Sequence, residues 1–165
     1  MEQTRVTSHI IKAIVIAVVL MAFDYFIAHK TTLDLPLAVR LLPTIWMVAG
    51  IAFSGIIYSK QNNGSLRFGD IFAHGFKTTA VVAVIMAVYA FIIIKFVFPP
   101  TAHDIELNMK ALMEQGGMMA QEARRNAEAN AKNAWVIEVS GNILAKVVLG
   151  LVGSLTGAAI AKKKP

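Results

Sequence analysis

Three ionisable side chains, Asp24, Arg40 and Lys146, stand at the margins of long apolar runs. A charge at the centre of a membrane helix costs roughly 2.5–3.5 kcal/mol on insertion scales, and less near an interface. Such groups are therefore either paired or put to use. Thr32 lies midway between Asp24 and Arg40, eight residues from each. A helical hairpin turning there would hold the two at similar depth, and Lys146 would reach a comparable depth on a last helix. The chemistry open to them is that of an outward-facing polar cluster binding an ion, a proton or an anionic headgroup. The plainer reading is snorkelling plus one structural ion pair. The expected depth, near the boundary rather than mid-bilayer, favours it.

Other reactive groups are sparse. The chain has no cysteine, which excludes disulfides, thiolate metal sites and cysteine nucleophiles. His9, His29, His74 and His103 lie near the ends of apolar runs without metal-ligand spacing. No phosphate-cradling loop, nucleophile elbow or HExxH occurs. The expectation is a protein that is not an enzyme and needs no cofactor. Met109, Met113, Met118 and Met119 would suit an adaptable binding face, although ordinary packing is the commoner use of such residues.

The elements that must carry these groups are read from the apolar runs. Thr78 to Ile94 holds no charge, Gly or Pro. As a helix it covers roughly 26 Å, close to the hydrocarbon thickness of a bilayer. Of the 165 residues 56% are apolar, and the mean hydropathy is +0.61. One soluble domain of this size could hardly hide such helices. Four spans are expected, at about 10–28, 37–58, 76–98 and 142–161, in a single membrane domain covering 1–165. The first could pass for a signal peptide, but Asp24, Tyr25 and Phe26 occupy the place where cleavage needs small residues, so it reads as a retained helix. Asp34 is the expected cap of the second span, and Pro43 should kink it near its start. Small residues four apart, Gly50 with Ser54 and the ladder Gly150, Gly153, Gly157, mark faces where helices can approach closely.

Residues 101–134 are polar and patterned. Thr101 followed by Asp104 resembles a capping box, and Ile105, Met109, Leu112 and Met113 share one helical face. Gly116-Gly117 breaks that helix. A second carries Ala120, Ala123, Ala127 and Ala131 on one stripe, with Arg124–Glu128 and Glu128–Lys132 as i,i+4 pairs. This is a helical hairpin outside the membrane, its alanine stripe suited to close packing against a partner helix; a loosely ordered loop is the alternative.

The sixteen basic residues divide evenly between the two sides. Their distribution decides the orientation. Lys162, Lys163 and Lys164 crowd the end of the last span, and the second connection is short and basic, so both termini are expected in the cytoplasm. The net charge of +6 then reports topology and contact with anionic lipid, not nucleic-acid binding.

The run RFGDIFAHGFKTT into an apolar span, then FVFPP, a Met/Glu-rich excursion with a glycine break and a small-residue helix ending in lysines resembles the domain-of-unknown-function family 4199, of small bacterial membrane proteins mainly from Bacteroidota. The most specific part is Phe68-Gly69-Asp70 through Gly75-Phe76-Lys77, with Asp70 where the family usually has glutamate. The resemblance implies four membrane helices and an inner-membrane location, and it carries no activity. The fold expected is all-α and polytopic. The function expected is a non-enzymatic membrane protein whose external hairpin docks a protein partner or a second copy, in contact with membrane lipid. The alternative is a small transporter or channel component using Asp24, Arg40 and Lys146.

Overall fold

The computed structural model of the chain describes residues 8–29 and 36–162. The expected cap Asp34, the midpoint Thr32 and the basic residues Arg5, Lys30, Lys163 and Lys164 lie outside the described residues. Among the described residues every element is helical: α1 (His9–His29), α2 (Leu37–Gln61), α3 (Phe68–Ile92), α4 (Ala102–Gly116), α5 (Ala120–Lys132) and α6 (Ala134–Lys162). Four of them, α1, α2, α3 with its continuation to Val97, and α6, are long and apolar enough to cross a bilayer. Only 22% to 33% of their most apolar windows is buried. The rest of that apolar surface, Val18, Phe53, Val84 and Leu144 among it, is more than half exposed and can only face lipid. The protein is an all-α membrane protein with an extramembrane helical pair, α4 and α5, between its third and fourth spans.

Local sequence sets the ends. Ser8 Oγ accepts from Ile10 N at 3.2 Å and so caps α1. The backbone N–H groups of Val39 and Arg40 bond back to Pro36 O, and α2 then runs unbroken through Pro43. Asn63 and Gly64 both take positive φ, 54° and 70°, and turn the chain into α3. The start of α3 shows what an acidic residue at position 70 does: the Asp70 carboxylate accepts from Arg67 N at 3.0 Å, one half of a capping box. The FGDIFAHGFK stretch is thus the first turns of one continuous helix. At its far end the α-helix widens into a π-turn over Ile93–Val97, with Phe98 N bonding to Ile93 O at 2.7 Å. Pro99 holds Phe98 out of the helical region, so the chain leaves there.

The chain falls into two compact units, Met1–Met86 with Ile143–Pro165, and Ala87–Asn142. In the first, α1 buries Ala13, Ile16, Ala17 and Leu20, an i, i+3, i+4, i+7 face. It meets α2, where Gly50 admits Ile16 and Trp46 Nε1 donates to Ile16 O at 3.4 Å. α6 seats against α2 and α3 through its glycines. A Cβ on Gly157 would stand 2.6 Å from Ala52 O, one on Gly153 2.8 Å from Val48 O, and one on Gly150 would overlap Thr79. Gly75 answers from α3, where a Cβ would meet Ser154 Oγ at 2.8 Å. The buried hydroxyls cost little, because Thr79 and Ser154 donate to the carbonyls four residues back, Gly75 O and Gly150 O.

In the second unit, α4 carries the full reciprocal box: Asp104 N donates to Thr101 Oγ1, and Thr101 N donates to Asp104 Oδ2 at 2.7 Å. Gly117 ends α4 in the left-handed region, at φ 61°. α5 packs on α4 with Ala123 and Ala127 fully buried. Arg124 Nε reaches Glu128 at 2.9 Å, while Glu128 and Lys132 form no ion pair among the described residues. Helix α6 begins at Ala134, eight residues before the expected span start at 142, because Asn133 O accepts from Val136 N and Ile137 N and opens the helix at once.

Candidate functional site

The first unit gathers polar groups at the end shared by the start of α1, the end of α2 and the start of α3. Lys12 is the fourth residue of α1, Tyr58 the fourth from the end of α2, and His74 the seventh of α3. At about 1.5 Å per residue all lie within roughly 11 Å of a helix end, the depth of headgroups. Lys12 Nζ donates to Ser54 O at 3.4 Å and lies 3.4 Å from His74 Nε2. It also stands 5.8 Å from the centroid of the Tyr58 ring. An ammonium has donors only, so this contact assigns the lone pair of His74 to Nε2 and its proton to Nδ1. The imidazole is stacked on Tyr58, centroids 3.9 Å apart and planes 6° off parallel, with His9 edge-on at 6.1 Å.

Beneath this layer the polarity continues into the helices. Ser54 Oγ and Thr78 Oγ1 are 3.2 Å apart, and Thr78 Oγ1 donates to His74 O at 2.9 Å. His74 and Ser54 are buried, and Thr78 is wholly so. Above it opens a cleft of ≈ 540 Å³, lined by Ser8, His9, Tyr58, Asp70, His74 and Lys77 with Leu66 and Ala73. Among the described residues no group of three or more His, Asp or Glu stands together as metal ligands.

The expected polar trio occupies other positions. Asp24 is half-buried on α1, Arg40 exposed in the first turn of α2, and Lys146 half-buried twelve residues inside α6. Among the described residues neither Arg40 nor Lys146 stands in an ion pair. Of the small residues, Ser54 is in the polar network, and Gly50, Gly150, Gly153 and Gly157 sit at helix contacts. The alanine stripe divides. Ala123 is closed inside the hairpin, Ala120 is exposed, and Ala127 and Ala131 line a groove of ≈ 910 Å³ with Val97, Phe98, Ile105 and Ile137. In the same unit Trp135 meets Phe91 edge-on at 5.6 Å, with Lys95 Nζ 5.8 Å over its ring. Outside the spans two carboxyls are held below the usual carboxylate range. Asp104 is held by the hydroxyl and backbone N–H of Thr101, and Glu106 by hydrogen bonding to Lys110, 3.0 Å away.

Local spacing does not reveal the Lys12–His74–Tyr58 cluster, because Lys12 is 62 residues from His74 and 42 from Ser54, whose carbonyl it also meets. The available signal is Lys12 itself, a lysine set two residues into an apolar run and readable as a topological charge alone.

Four long apolar helices and a capped helical pair between the last two define a small multi-pass membrane protein. A family model described as Protein of unknown function (DUF4199) matches residues 9–163, and the chain belongs to that family. No curated protein and no solved structure matches it.

Proposed function

We propose that this is a non-enzymatic protein of a bacterial inner membrane, both termini cytoplasmic, that works by docking another protein segment through its external hairpin. The observation that supports this most is the ≈ 910 Å³ groove of the second unit, with its apolar walls and with Asp104, Asn108, Asn130 and Glu138 among its lining. A concave, mostly apolar surface with a few polar groups is the usual form of a recognition site. The hairpin beside it is built to hold its shape: a reciprocal cap at one end of α4, a left-handed glycine at the other, and two buried alanines between α5 and its neighbour. Binding to a preformed surface loses less affinity to ordering.

The test uses the cysteine-free background. Ala131→Cys and Ile105→Cys face the groove; Lys110→Cys is an exposed comparison on α4. Bismaleimide treatment of membranes should give one discrete product from the groove positions, containing a second copy or one other protein, and none from Lys110→Cys. Only monomer from all three, with the groove cysteines open to small maleimides, would count against docking.

A further inference from the structure

The cleft of the first unit has an excess of positive charge. Its walls carry one lysine, Lys77, two imidazoles, His9 and His74, and one carboxylate, Asp70, whose Oδ2 is already taken by Arg67 N; Lys12 is not in the lining but stands 3.4 Å from the Nε2 of the lining His74. Lys12 stands half-buried over an apolar span, its contacts a carbonyl, an imidazole and an aromatic face, with no carboxylate within ion-pair distance among the described residues. Taking an ammonium out of water without a counter-charge is costly. An anion in the cleft would remove that cost.

We propose that this cleft binds a phosphate group, carried by a lipid headgroup or free in solution. Lys77 supplies an exposed ammonium at the wall, and Lys12 a half-buried positive charge behind it. The Ser8 hydroxyl accepts from Ile10 N, which leaves its own proton to donate outward. The Tyr58 phenol lines the same cleft without a hydrogen-bond partner among the described residues. The N-terminal ends of α1 and α3 both open here, adding the positive ends of two long helices. The two lysines less Asp70 leave one net positive charge, which matches a singly charged phosphodiester. The ≈ 540 Å³ volume holds such a group together with a glycerol-sized substituent. The cleft lies within three turns of the helix ends, Lys77 being the tenth residue of α3, and opens toward the headgroup region. The site belongs to the first unit and does not depend on the docking proposed for the hairpin.

The full chain, purified in a neutral detergent, is titrated with short-chain phosphatidylglycerol in one arm and inorganic phosphate in the other, with binding read by native mass spectrometry and thermal shift. The wild type should bind one equivalent saturably in at least one arm, and the arm that binds names the source. Lys77→Gln should weaken binding roughly tenfold, the loss of one charge-assisted contact, and Lys12→Gln should weaken it by less, through loss of the charge behind the wall. Lys77→Arg should restore it, and Lys162→Gln, a cation at the end of α6, should leave it unchanged. If Lys12→Gln does not fold, Lys77→Gln and its arginine rescue carry the test alone. Failure of both arms to saturate, or equal weakening by Lys162→Gln, would overturn the proposal.

Discussion

Glycine at position 157 is the residue on which the seating of α6 most plainly depends. A Cβ there would stand 2.6 Å from Ala52 O and 2.8 Å from Ala52 Cα, both backbone atoms that cannot swing aside. Gly157→Ala should therefore lower the resistance of the folded protein to heat or denaturant, by about 1–3 kcal/mol as for other overpacked contacts. Gly141→Ala, in the same helix with nothing within 4 Å, should be neutral or slightly stabilising. Equal effects would mean that the α2–α6 contact is not tight. Asp104 gives a pH test. Its folded carboxyl is held below the ordinary range, with Thr101 the main cause. A depressed folded value means that its contribution is fully present above the unfolded carboxylate value and is lost as pH falls through the folded one. Protection of the first α4 amides against hydrogen exchange should decline on acidification in that window. Thr101→Ala should move the Asp104 titration back up and cost the cap about 1 kcal/mol. An unchanged Asp104 titration in Thr101→Ala would remove the capping account.

Elements were legible in the sequence where a local rule governs them, and sites were not where contact is long-range. The apolar runs announced α1, α2 and α3 to within a few residues, apart from the early start of α3. The Thr101–Asp104 spacing announced the cap of α4, and Gly116-Gly117 the break after it. Membrane thickness counted back from Ala161 gives a shorter α6, whereas a helix ends where its hydrogen bonds end. The Asn133 carbonyl carries α6 eight residues beyond that count. The polar network of Lys12, Ser54, Tyr58 and His74 joins three helices and leaves no periodic mark. Asp24, Arg40 and Lys146 are conspicuous in the sequence as charges in apolar surroundings, where the plainer expectation is snorkelling with one structural ion pair. At this scale Gly117 is the hairpin's control point. Its φ of 61° costs an L-residue roughly 1–2 kcal/mol, so Gly117→Val should speed amide exchange in the last turn of α4 and the first of α5 while leaving α1 protected. Uniform loss of protection would show instead that the hairpin and spans unfold as one.

For the molecule as a whole, four helices long and apolar enough to cross the bilayer set the topology. Their exposed Val, Leu and Phe side chains have no other solvent compatible with them. One span, α3, separates the turn at 62–65 from the turn after Gly116, so those turns must lie on opposite faces of the membrane. The most direct measurement is labelling of two single-cysteine variants, Asn63→Cys and Met119→Cys, with a membrane-impermeant maleimide in intact cells and then after permeabilisation. Met119 is 80% exposed beside the second turn, so its reactivity is limited only by the side on which it lies. Met119→Cys should label in intact cells and Asn63→Cys only after permeabilisation. Equal labelling of both in intact cells, or of neither until permeabilisation, would rule out a crossing by α3.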